Sequence, residues 1–233
     1  MQVTDRSEWI AERLKVAAAR YDQRFAPVYD DRWGAEIDAT HQMMLARLID
    51  HLPPGSSVLD AGCGTGKYWP QLLDADLEIV GVDQSAGMLQ RASAKHPQVQ
   101  VVQQRLHTLD LGRRVDAIVC IDTMENVFPE HWPLVLAGFA RHLVKDGWLY
   151  VTVELAEPSG YNPAELTKIR DEQRSLGVPL EYGEVLEDGG YHFYPTGSQV
   201  DQWLDEANFN VATDLDGDGY RHLLAVTSVD TEQ

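Results

Sequence analysis

One stretch constrains this chain more than any other: a short apolar run that ends in an acid and is followed by three glycines at alternate positions. It extends from Ser56 to Tyr68 and carries Gly62, Gly64 and Gly66. Glycine tolerates a positive φ and lets the backbone approach a ligand closely. The stretch therefore predicts a strand, a tight loop that binds a ligand, and the start of a helix.

The spacing of the glycines excludes two common nucleotide-binding loops. The dinucleotide fingerprint G-x-G-x-x-G requires a glycine where Lys67 stands, and a P-loop requires a glycine at Ala61 and a Ser or Thr at Tyr68. A second apolar run, residues 79–83, again ends in an acid, Asp83. An acid at the end of a second parallel strand is placed to accept ribose hydroxyls, so the pattern favours a ligand that carries a ribose.

Four short motifs follow one another along the chain: VLDAGCGTG at residues 58–66, VGVDQSAGML at 80–89, VDAIVCID at 115–122 and LVKDGWL at 143–149. Over about residues 55 to 155 they resemble the class I S-adenosylmethionine-dependent methyltransferases. The resemblance implies an α/β three-layer sandwich with a Rossmann-like, seven-stranded, mostly parallel sheet, N-terminal lid helices and an insertion after the fifth strand. It also implies S-adenosylmethionine as the cofactor, S-adenosylhomocysteine as its product, and methyl transfer to an oxygen or nitrogen of a small molecule.

The chain has 233 residues, enough for one domain with its own core. We expect a single class I methyltransferase domain over residues 1–233. Within it we assign residues 1–54 to N-terminal helices that form a lid, 55–155 to the cofactor-binding core, 156–198 to a substrate-side insertion, and 199–233 to a C-terminal helix and hairpin.

Apolar periodicity predicts the elements outside the shared motifs. Proline and a capping residue mark the two later helices. We expect helices over residues 5–25 and 37–52, a turn at 145–148 into a fifth strand at 148–154, and a helix over 163–176 followed by a loop. A helix from Thr196 or Ser198 to Ala207 and antiparallel strands at 209–213 and 222–228 should complete the chain.

Neither a metal site nor a disulfide framework is expected. Residues 214–219 copy the first half of a calcium loop, but Ala225 stands where its last glutamate belongs, so a hairpin turn is favoured. The chain has two cysteines, and a bridge at Cys63 would obstruct the glycine loop.

The net charge of −18, from 19 basic and 37 acidic residues, limits the partners. Such a chain repels polyphosphates and anionic membranes, so we expect neither nucleic acid nor a membrane as partner. The charge would serve solubility, and it also permits a preference for neutral or cationic small molecules as methyl acceptors. The protein is expected to be a monomer or a homodimer. No apolar run is long enough for a membrane span and the first residues lack a signal-peptide core, so the expected location is the cytoplasm.

The resemblance also implies which residues hold the cofactor. Backbone N–H groups after the glycine loop would approach its amino-acid part, whose ammonium could reach a carbonyl of the loop. Asp60 would orient the loop or cap the following turn, and Asp83 would accept the ribose hydroxyls. Gln84 and Met88 would flank the adenosine. The full set of expected cofactor-binding residues is Asp60, Ala61, Gly62, Gly64, Asp83, Gln84, Met88, Arg105, Leu106 and Ile121.

One motif departs from the family pattern. After the third strand, expected at residues 99–103, the family has Gly-Asp-Ala, whose Asp accepts a hydrogen bond from the adenine amine. This chain has Gln104, Arg105 and Leu106 instead. Arginine cannot accept that hydrogen bond, although it can stack on a purine. Leu106 could offer its backbone N–H to a ring nitrogen, and Gln104 is a candidate acceptor.

The candidate catalytic residues are, in this order, His192, Tyr21 and Glu125. Histidine titrates near neutral pH and could remove a proton from a phenol or an amine. Tyr21 stands on the helix that the family places over the cofactor. Glu125 follows the central fourth strand, where Asn126 replaces a histidine that the family often has. The expected acceptor-binding residues are Tyr29, Trp33, Tyr191 and Tyr194.

Other interpretations fit the same residues. A protein of this fold can bind S-adenosylmethionine and catalyse a rearrangement or cyclisation without moving the methyl group. A wobble-nucleoside tRNA methyltransferase has a similar loop that includes Gly66-Lys-Tyr68, and a non-enzymatic cofactor-binding subunit would need a partner. The aromatic candidates could equally be core contacts, and His192 a half-exposed residue of a turn.

Overall fold

Seven strands form one mixed sheet, and a separate two-stranded hairpin lies in the insertion. A computed structural model describes residues 5–34, 37–156, 162–187 and 189–228. The helices are α1 (Arg6–Arg20), α2 (Tyr29–Trp33), α3 (Ala39–Ile49), α4 (Trp69–Asp74), α5 (Ala86–Lys95), α6 (Trp132–His142), α7 (Pro163–Ser175) and α8 (Gly197–Glu206). The strands are β1 (Ser57–Ala61), β2 (Glu78–Asp83), β3 (Gln100–Gln103), β4 (Val115–Cys120), β5 (Leu143–Val153), β6 (Glu184–Glu187), β7 (Gly190–Phe193), β8 (Phe209–Gly217) and β9 (Tyr220–Thr227).

The strand order of the large sheet is β3-β2-β1-β4-β5-β9-β8. The pairs among β1 to β5 are parallel, and β9 pairs antiparallel with both β5 and β8. The order in which successive strands are added to the sheet therefore reverses between β1 and β4. Open α/β sheets bind ligands at such a point, at the carboxyl ends of the strands. This arrangement confirms the predicted Rossmann-like fold.

Two apolar layers cover the two faces of the sheet. Because successive strand residues point to opposite faces, Leu59 and Ile118 pack with residues of α6 and α8, while Val58 and Val119 pack with residues of α3, α4 and α5. The sheet is thus the middle layer of the three-layer sandwich that the motifs imply.

Helix caps and one turn form where the sequence places them. The side chain of Thr196 caps α8 through a reciprocal pair of hydrogen bonds with Gln199, and Asn162 caps α7 in the same way. Asp218 and Gly219 both have a positive φ and join β8 to β9. That geometry suits a two-residue hairpin turn, which confirms the predicted hairpin, whereas residues 214–217 of the expected turn extend β8 instead.

The fifth strand is longer than predicted. We expected a turn at residues 145–148 before a strand that begins at Trp148, but β5 begins at Leu143. Asp146 lies within β5 at φ +58°, and the register with β4 shifts between Val115 and Ala117. The residues of the expected turn are therefore accommodated as an irregularity of the strand rather than as a separate loop.

The loop predicted after α7 was also wrong, because β6 and β7 form an antiparallel hairpin there. Glu184, whose side chain is fully buried in β6, accepts hydrogen bonds from the Arg6 guanidinium at 2.6 and 2.7 Å and from the Tyr191 hydroxyl at 2.6 Å. Arg6 also pairs with Glu130 at 2.7 Å. These contacts attach the N-terminal helix to the insertion hairpin. Residues 157–161 and 188 of the predicted insertion lie outside the described residues, as do residues 1–4, 35–36 and 229–233.

The far end of the N-terminal helix is attached to the core as well. After α1 the chain widens into a π-helix, Tyr21–Phe25, a form that is often found at functional sites. The Asp22 carboxylate accepts hydrogen bonds from Ser85 Oγ at 2.6 Å and from the Gly87 N–H at 2.9 Å, at the start of α5. The predicted lid is therefore held at both of its ends.

Two further properties hold for the described part of the chain. None of its helices is both long and apolar enough to cross a membrane, and it contains no group of three or more His, Cys, Asp or Glu side chains that could hold a metal ion. Cys63 and Cys120 are buried free thiols.

Candidate active site

A cleft that is partly open to solvent lies between α1 and the carboxyl ends of β1, β2 and β4. It brings together many of the residues singled out in the sequence and leaves others elsewhere. Those that line it are Tyr21, Tyr29, Gly62, Gly64, Asp83, Gln84, Met88, Arg105, Leu106 and Tyr191. Those that do not line it are Trp33, Asp60, Ala61, Ile121, Glu125, His192 and Tyr194.

The glycine loop forms one wall of this cleft. Gly62 has φ +85°, and a Cβ atom there would lie 2.3 Å from the Thr123 side chain, so only glycine fits where the loops after β1 and β4 meet. Gly64 has φ +51°, and no heavy atom lies within 4 Å of the position of its absent Cβ. A side chain at Gly64 would extend into open space beside a ligand, so the loop is shaped for close approach of its backbone.

Asp83 lies at the end of β2 and borders the cleft. Its Oδ2 accepts a hydrogen bond from the Gly64 N–H at 2.9 Å, and its Oδ1 accepts one from the Ser85 N–H at 2.8 Å. Burial raises the pKa of Asp83, and these N–H groups partly oppose that shift. Main-chain N–H groups therefore already pair with both oxygens of the Asp83 carboxylate. Each oxygen still has a lone pair for a ribose hydroxyl.

Asp60 lies behind the loop and is only 2% exposed. It accepts a hydrogen bond from Trp69 Nε1 at 2.8 Å, and the Trp69 ring fills the space beside Gly66 and Gly81. Burial raises the pKa of Asp60 to about 7. Asp60 thus positions the first residue of α4, on which the loop rests. Nothing in the sequence distinguished Trp69 from an ordinary core residue.

These features fit the cofactor that the resemblance implies. The open space at Gly64 admits a ligand against the backbone, and the Asp83 carboxylate offers acceptors for a diol. Met88, which is 2% exposed, presents an apolar surface to the cleft. Gly62 and Gly64 are therefore residues that could hold the amino-acid part of S-adenosylmethionine, Asp83 its ribose and Met88 its adenine.

The Gln104 side chain, at the end of the cleft beyond β3, is hydrogen-bonded within its own loop. Its amide Nε2 donates to the Asp110 carbonyl at 2.9 Å, and its Oε1 accepts from the Asp110 N–H at 2.9 Å. Both ends of the amide are thus engaged within the loop, and its Oε1 keeps one lone pair for a further donor. Gln104, Arg105 and Leu106 all line the cleft.

Two histidines that the sequence did not indicate lie at this same end of the cleft. His107 and His131 stack with ring centroids 4.0 Å apart and both line the cleft. Burial lowers the pKa of His107 to about 4, with further contributions from His131 and Arg105, and burial also lowers the pKa of His131. Both rings are therefore neutral at physiological pH. A neutral imidazole offers one acceptor nitrogen, which the arginine at position 105 lacks.

A chain of hydrogen bonds leads from the cleft into the protein after β4. The Tyr21 hydroxyl donates to Asn126 Oδ1 at 2.9 Å, and Asn126 Nδ2 donates to Glu125 Oε1 at 2.8 Å. Glu125 is 7% exposed, and its Oε2 is buried without a hydrogen-bond partner. Burial, then the charges of Asp122 and Glu154, raise the pKa of Glu125. Burial and the charge of Glu125 also raise the pKa of Tyr21, which keeps its proton.

Asp122, which also lines the cleft, has a strained backbone and a full set of partners. It adopts φ +50°, and its N–H donates to Thr152 Oγ1 at 2.9 Å. Its carboxylate contacts His41 Nε2 at 3.2 Å and accepts from the Tyr68 hydroxyl at 3.1 Å. Burial opposes ionisation of Asp122, but its contacts with His41 prevail and lower its pKa. The carboxylate is therefore ionised and held in place.

The insertion hairpin turns one of its aromatic side chains towards the cleft. Tyr191 lines the cleft with its ring, whereas its hydroxyl is bound to Glu184. His192 lies on the opposite face of β7 and stacks with Tyr194 at a centroid distance of 6.1 Å. Trp33 is 42% exposed and packs on the rings of Phe25 and Tyr29. Side chains alternate between the two faces of a strand, so the sequence already indicated that Tyr191 and His192 cannot both face the cleft.

Comparison with known proteins gives a family match over most of the chain. A family model described as "Methyltransferase domain" matches residues 36–214. The dTDP-3-amino-3,6-dideoxy-alpha-D-glucopyranose N,N-dimethyltransferase of Streptomyces fradiae is 28% identical over 138 residues, which cover 57% of this chain and 54% of that protein. The trans-aconitate 2-methyltransferase of Azoarcus sp. (strain BH72) is 34% identical over 137 residues, which cover 56% and 49%. The chain thus spans about half the length of the curated relatives that it matches.

Solved structures resemble the chain over nearly its whole length. The 1,6-didemethyltoxoflavin-N1-methyltransferase of Burkholderia thailandensis, with bound 1,6-didemethyltoxoflavin and S-adenosylhomocysteine, has a TM-score of 0.67. It is 18% identical and the match covers 98% of this chain and 93% of that chain. A likeness at this level of identity shows the shared fold.

Proposed function

The chain belongs to the class I S-adenosylmethionine-dependent methyltransferases, and on that premise we propose that it transfers the methyl group to an oxygen or nitrogen of a small molecule. The observation that carries the proposal is the joint position of two groups of residues. Gly64 and Asp83, which fit the cofactor, and Tyr21 and Asn126, which could meet an acceptor, line one cleft under α1. An acceptor in that cleft lies beside the cofactor.

The cofactor site is formed by the residues after β1 and β2. Gly62 and Gly64 would admit its amino-acid part against the loop backbone, Asp83 would bind the ribose, and Met88 would pack on the adenine. S-adenosylmethionine supplies a methyl group on a sulfonium, which is already activated for displacement. The protein therefore contributes mainly proximity, orientation and the exclusion of water.

The acceptor is positioned from the other side of the cleft. The Tyr21 hydroxyl, fixed by Asn126, could hydrogen-bond to an acceptor oxygen or nitrogen, while the rings of Tyr29 and Tyr191 would pack on its apolar part. We propose Tyr21 and Glu125 as the catalytic residues. His192 ranks below them, because it lies on the face of β7 that points away from the cleft.

A base is required only when the acceptor arrives protonated, and Glu125 is the better candidate of the two. The raised pKa of Tyr21 keeps its hydroxyl protonated, so it cannot accept a proton near neutral pH. The pKa of a carboxyl starts much lower, and raising it strengthens Glu125 as a base. Glu125 is one hydrogen bond behind Asn126. Glu125 would therefore accept the proton only if Asn126 moves aside or if the acceptor reaches past Asn126.

The names of the relatives support a small acceptor. The Streptomyces protein is an N,N-dimethyltransferase of an amino sugar nucleotide, and the Azoarcus protein acts on trans-aconitate. Both acceptors are small molecules, and they differ widely in chemistry. The relatives therefore support the class of acceptor without selecting one compound.

The test is an assay of methyl transfer with methyl-labelled S-adenosylmethionine and a panel of small amines, phenols and carboxylic acids. We expect S-adenosylhomocysteine and labelled acceptor in equal amounts. Conversion of an acceptor without label would contradict methyl transfer and would favour a rearrangement. Transfer of label to tRNA but to no small molecule would contradict the proposed acceptor class.

A further inference from the structure

The half-buried arginines of this protein fall into two groups. The members of the first group each pair with a carboxylate: Arg6, Arg91, Arg170 and Arg221. The members of the second group have no such partner in the part of the chain that the structure describes: Arg13, Arg20 and Arg105. All three members of the second group line the cleft. The half-buried arginines without an anionic partner are therefore gathered at one site.

Arg13 and Arg20 present the strongest case. They are seven residues apart on α1 and so share one face of the helix. The Nε atom of each is buried and has no hydrogen-bond partner. The Arg20 guanidinium lies 4.7 Å from the centroid of the Phe25 ring, a contact that leaves its N–H donors available.

The insertion hairpin leaves room for one of these guanidinium groups. Gly190, at the start of β7, also lines the cleft, and a Cβ atom there would lie 2.4 Å from Nη1 of Arg20. Any other residue at position 190 would displace the guanidinium from this position. The site therefore depends on α1 and on the hairpin that Arg6 holds against it.

An unpaired, half-buried guanidinium is unfavourable, because burial removes water from its donors without replacing the hydrogen bonds. Partners are plentiful in a chain with 37 acidic and 19 basic residues. The carboxylates that line the cleft do not serve as partners. Asp83 is bound by main-chain N–H groups and Asp122 by His41 and Tyr68. The N–H donors of Arg13 and Arg20 are thus available to an anion from outside the protein.

We propose that Arg13 and Arg20 bind an anionic group of the methyl acceptor, a carboxylate or a phosphate. This inference rests on the proposed function, since it names the acceptor class of the same cleft. The planar guanidinium matches both groups with paired hydrogen bonds. An anionic acceptor departs from the neutral or cationic acceptor that the net charge suggested, because the total charge of −18 does not describe the potential inside the cleft.

The test is a calorimetric titration in two stages at low ionic strength. S-adenosylhomocysteine is titrated first, and the loaded protein is then titrated with pyrophosphate or with tricarballylate, which separate the phosphate and carboxylate sources. Both stages are repeated with Arg13→Gln, Arg20→Gln and the control Arg141→Gln, which removes an exposed arginine on α6. Thermal unfolding verifies that each variant is folded.

We expect one of the two anions to bind the loaded wild-type protein. Each cleft variant should weaken that binding about tenfold, since one charge-assisted hydrogen bond or more is lost. Arg141→Gln should change it less than about twofold, and all three variants should keep the wild-type affinity for S-adenosylhomocysteine.

The other results overturn the inference in distinguishable ways. Binding of S-adenosylhomocysteine without binding of either anion, or anion binding that the cleft variants leave unchanged, would refute the anionic acceptor site and leave the proposed function standing. Anions that compete with S-adenosylhomocysteine, or cleft variants that lose it, would assign the arginines to the cofactor instead. If folded wild-type protein does not bind S-adenosylhomocysteine, the proposed function fails and the inference fails with it.

Discussion

Replacing Arg6 with alanine should destabilise the protein, because it leaves the buried Glu184 carboxylate without its cationic partner. Removing one member of a buried ion pair typically costs about 3–5 kcal/mol. Glu184 keeps the Tyr191 hydroxyl as a donor, which places the expected loss at the lower end, about 3 kcal/mol. For a domain of this size such a loss lowers the melting temperature by roughly 6–12 °C.

The assay is urea denaturation together with thermal unfolding, with Glu130→Gln as the matched control. Glu130 is the second partner of Arg6, but its side chain is 42% exposed, so solvent screens the pair. Its loss should cost less than about 1 kcal/mol. The double variant Arg6→Ala/Glu184→Gln should recover part of the stability, since it removes the stranded charge. A loss no larger than that of Glu130→Gln, or no recovery in the double variant, would refute the role of this buried pair.

Three further substitutions test the site itself. The wild-type protein should lose stability as the pH rises from about 4 to about 7, because a buried carboxyl with a pKa of about 7 keeps its proton in the folded state after it has ionised in the unfolded chain. Asp60→Asn should abolish this loss. If the free energy of unfolding in urea changes equally with pH in the two proteins, the assignment is contradicted. Gly64→Ala should weaken S-adenosylhomocysteine binding about tenfold or more by calorimetry, whereas Gly55→Ala, which imposes the same positive-φ strain away from the cleft, should not; equal effects would exclude the close approach. Tyr21→Phe should lower kcat/KM about tenfold with little effect on cofactor affinity, and His192→Ala should retain turnover; the reverse pattern would restore His192 as the catalytic residue.

The parts of the fold that the sequence predicted are those whose signals are local. The glycine loop is specified by Gly62, Gly64 and Gly66, and the parallel strands by apolar runs that end in Asp60 and Asp83. Period and capping residues are also local, so the helices form within a few residues of their expected bounds. These features require no knowledge of what lies across the molecule.

The features that the sequence missed depend on residues far apart in the chain. The β6–β7 hairpin contains Glu184, an acid that breaks the apolar pattern of a strand, and its burial is stabilised by Arg6, 178 residues away. The pairing of His107 with His131 is likewise tertiary. No periodicity could reveal either pair, because each becomes favourable only when the two partners meet.

The candidate site was predicted only in part, because some of its contacts also depend on how the chain folds. Asp83 was identified by its place at a strand end, but its hydrogen bond from the Gly64 N–H was not, since Gly64 lies in the loop after a different strand. Gln104 was a reasonable acceptor by residue type, yet its amide is engaged by Asp110 six residues later. The sequence gives no signal for Arg13 and Arg20 of α1, because their lack of a partner depends on which side chains the fold brings near them.

The most direct test of the central claim is calorimetric titration of S-adenosylmethionine into the wild-type protein and into Asp83→Ala. Two hydrogen bonds from ribose hydroxyls to a carboxylate contribute roughly 3–6 kcal/mol, so the variant should bind at least about a hundredfold more weakly while remaining folded. Clear binding by the wild type and its loss in the variant is the predicted result. No binding to folded wild-type protein, or equal binding by the two proteins, would contradict the assignment of this cleft to the cofactor.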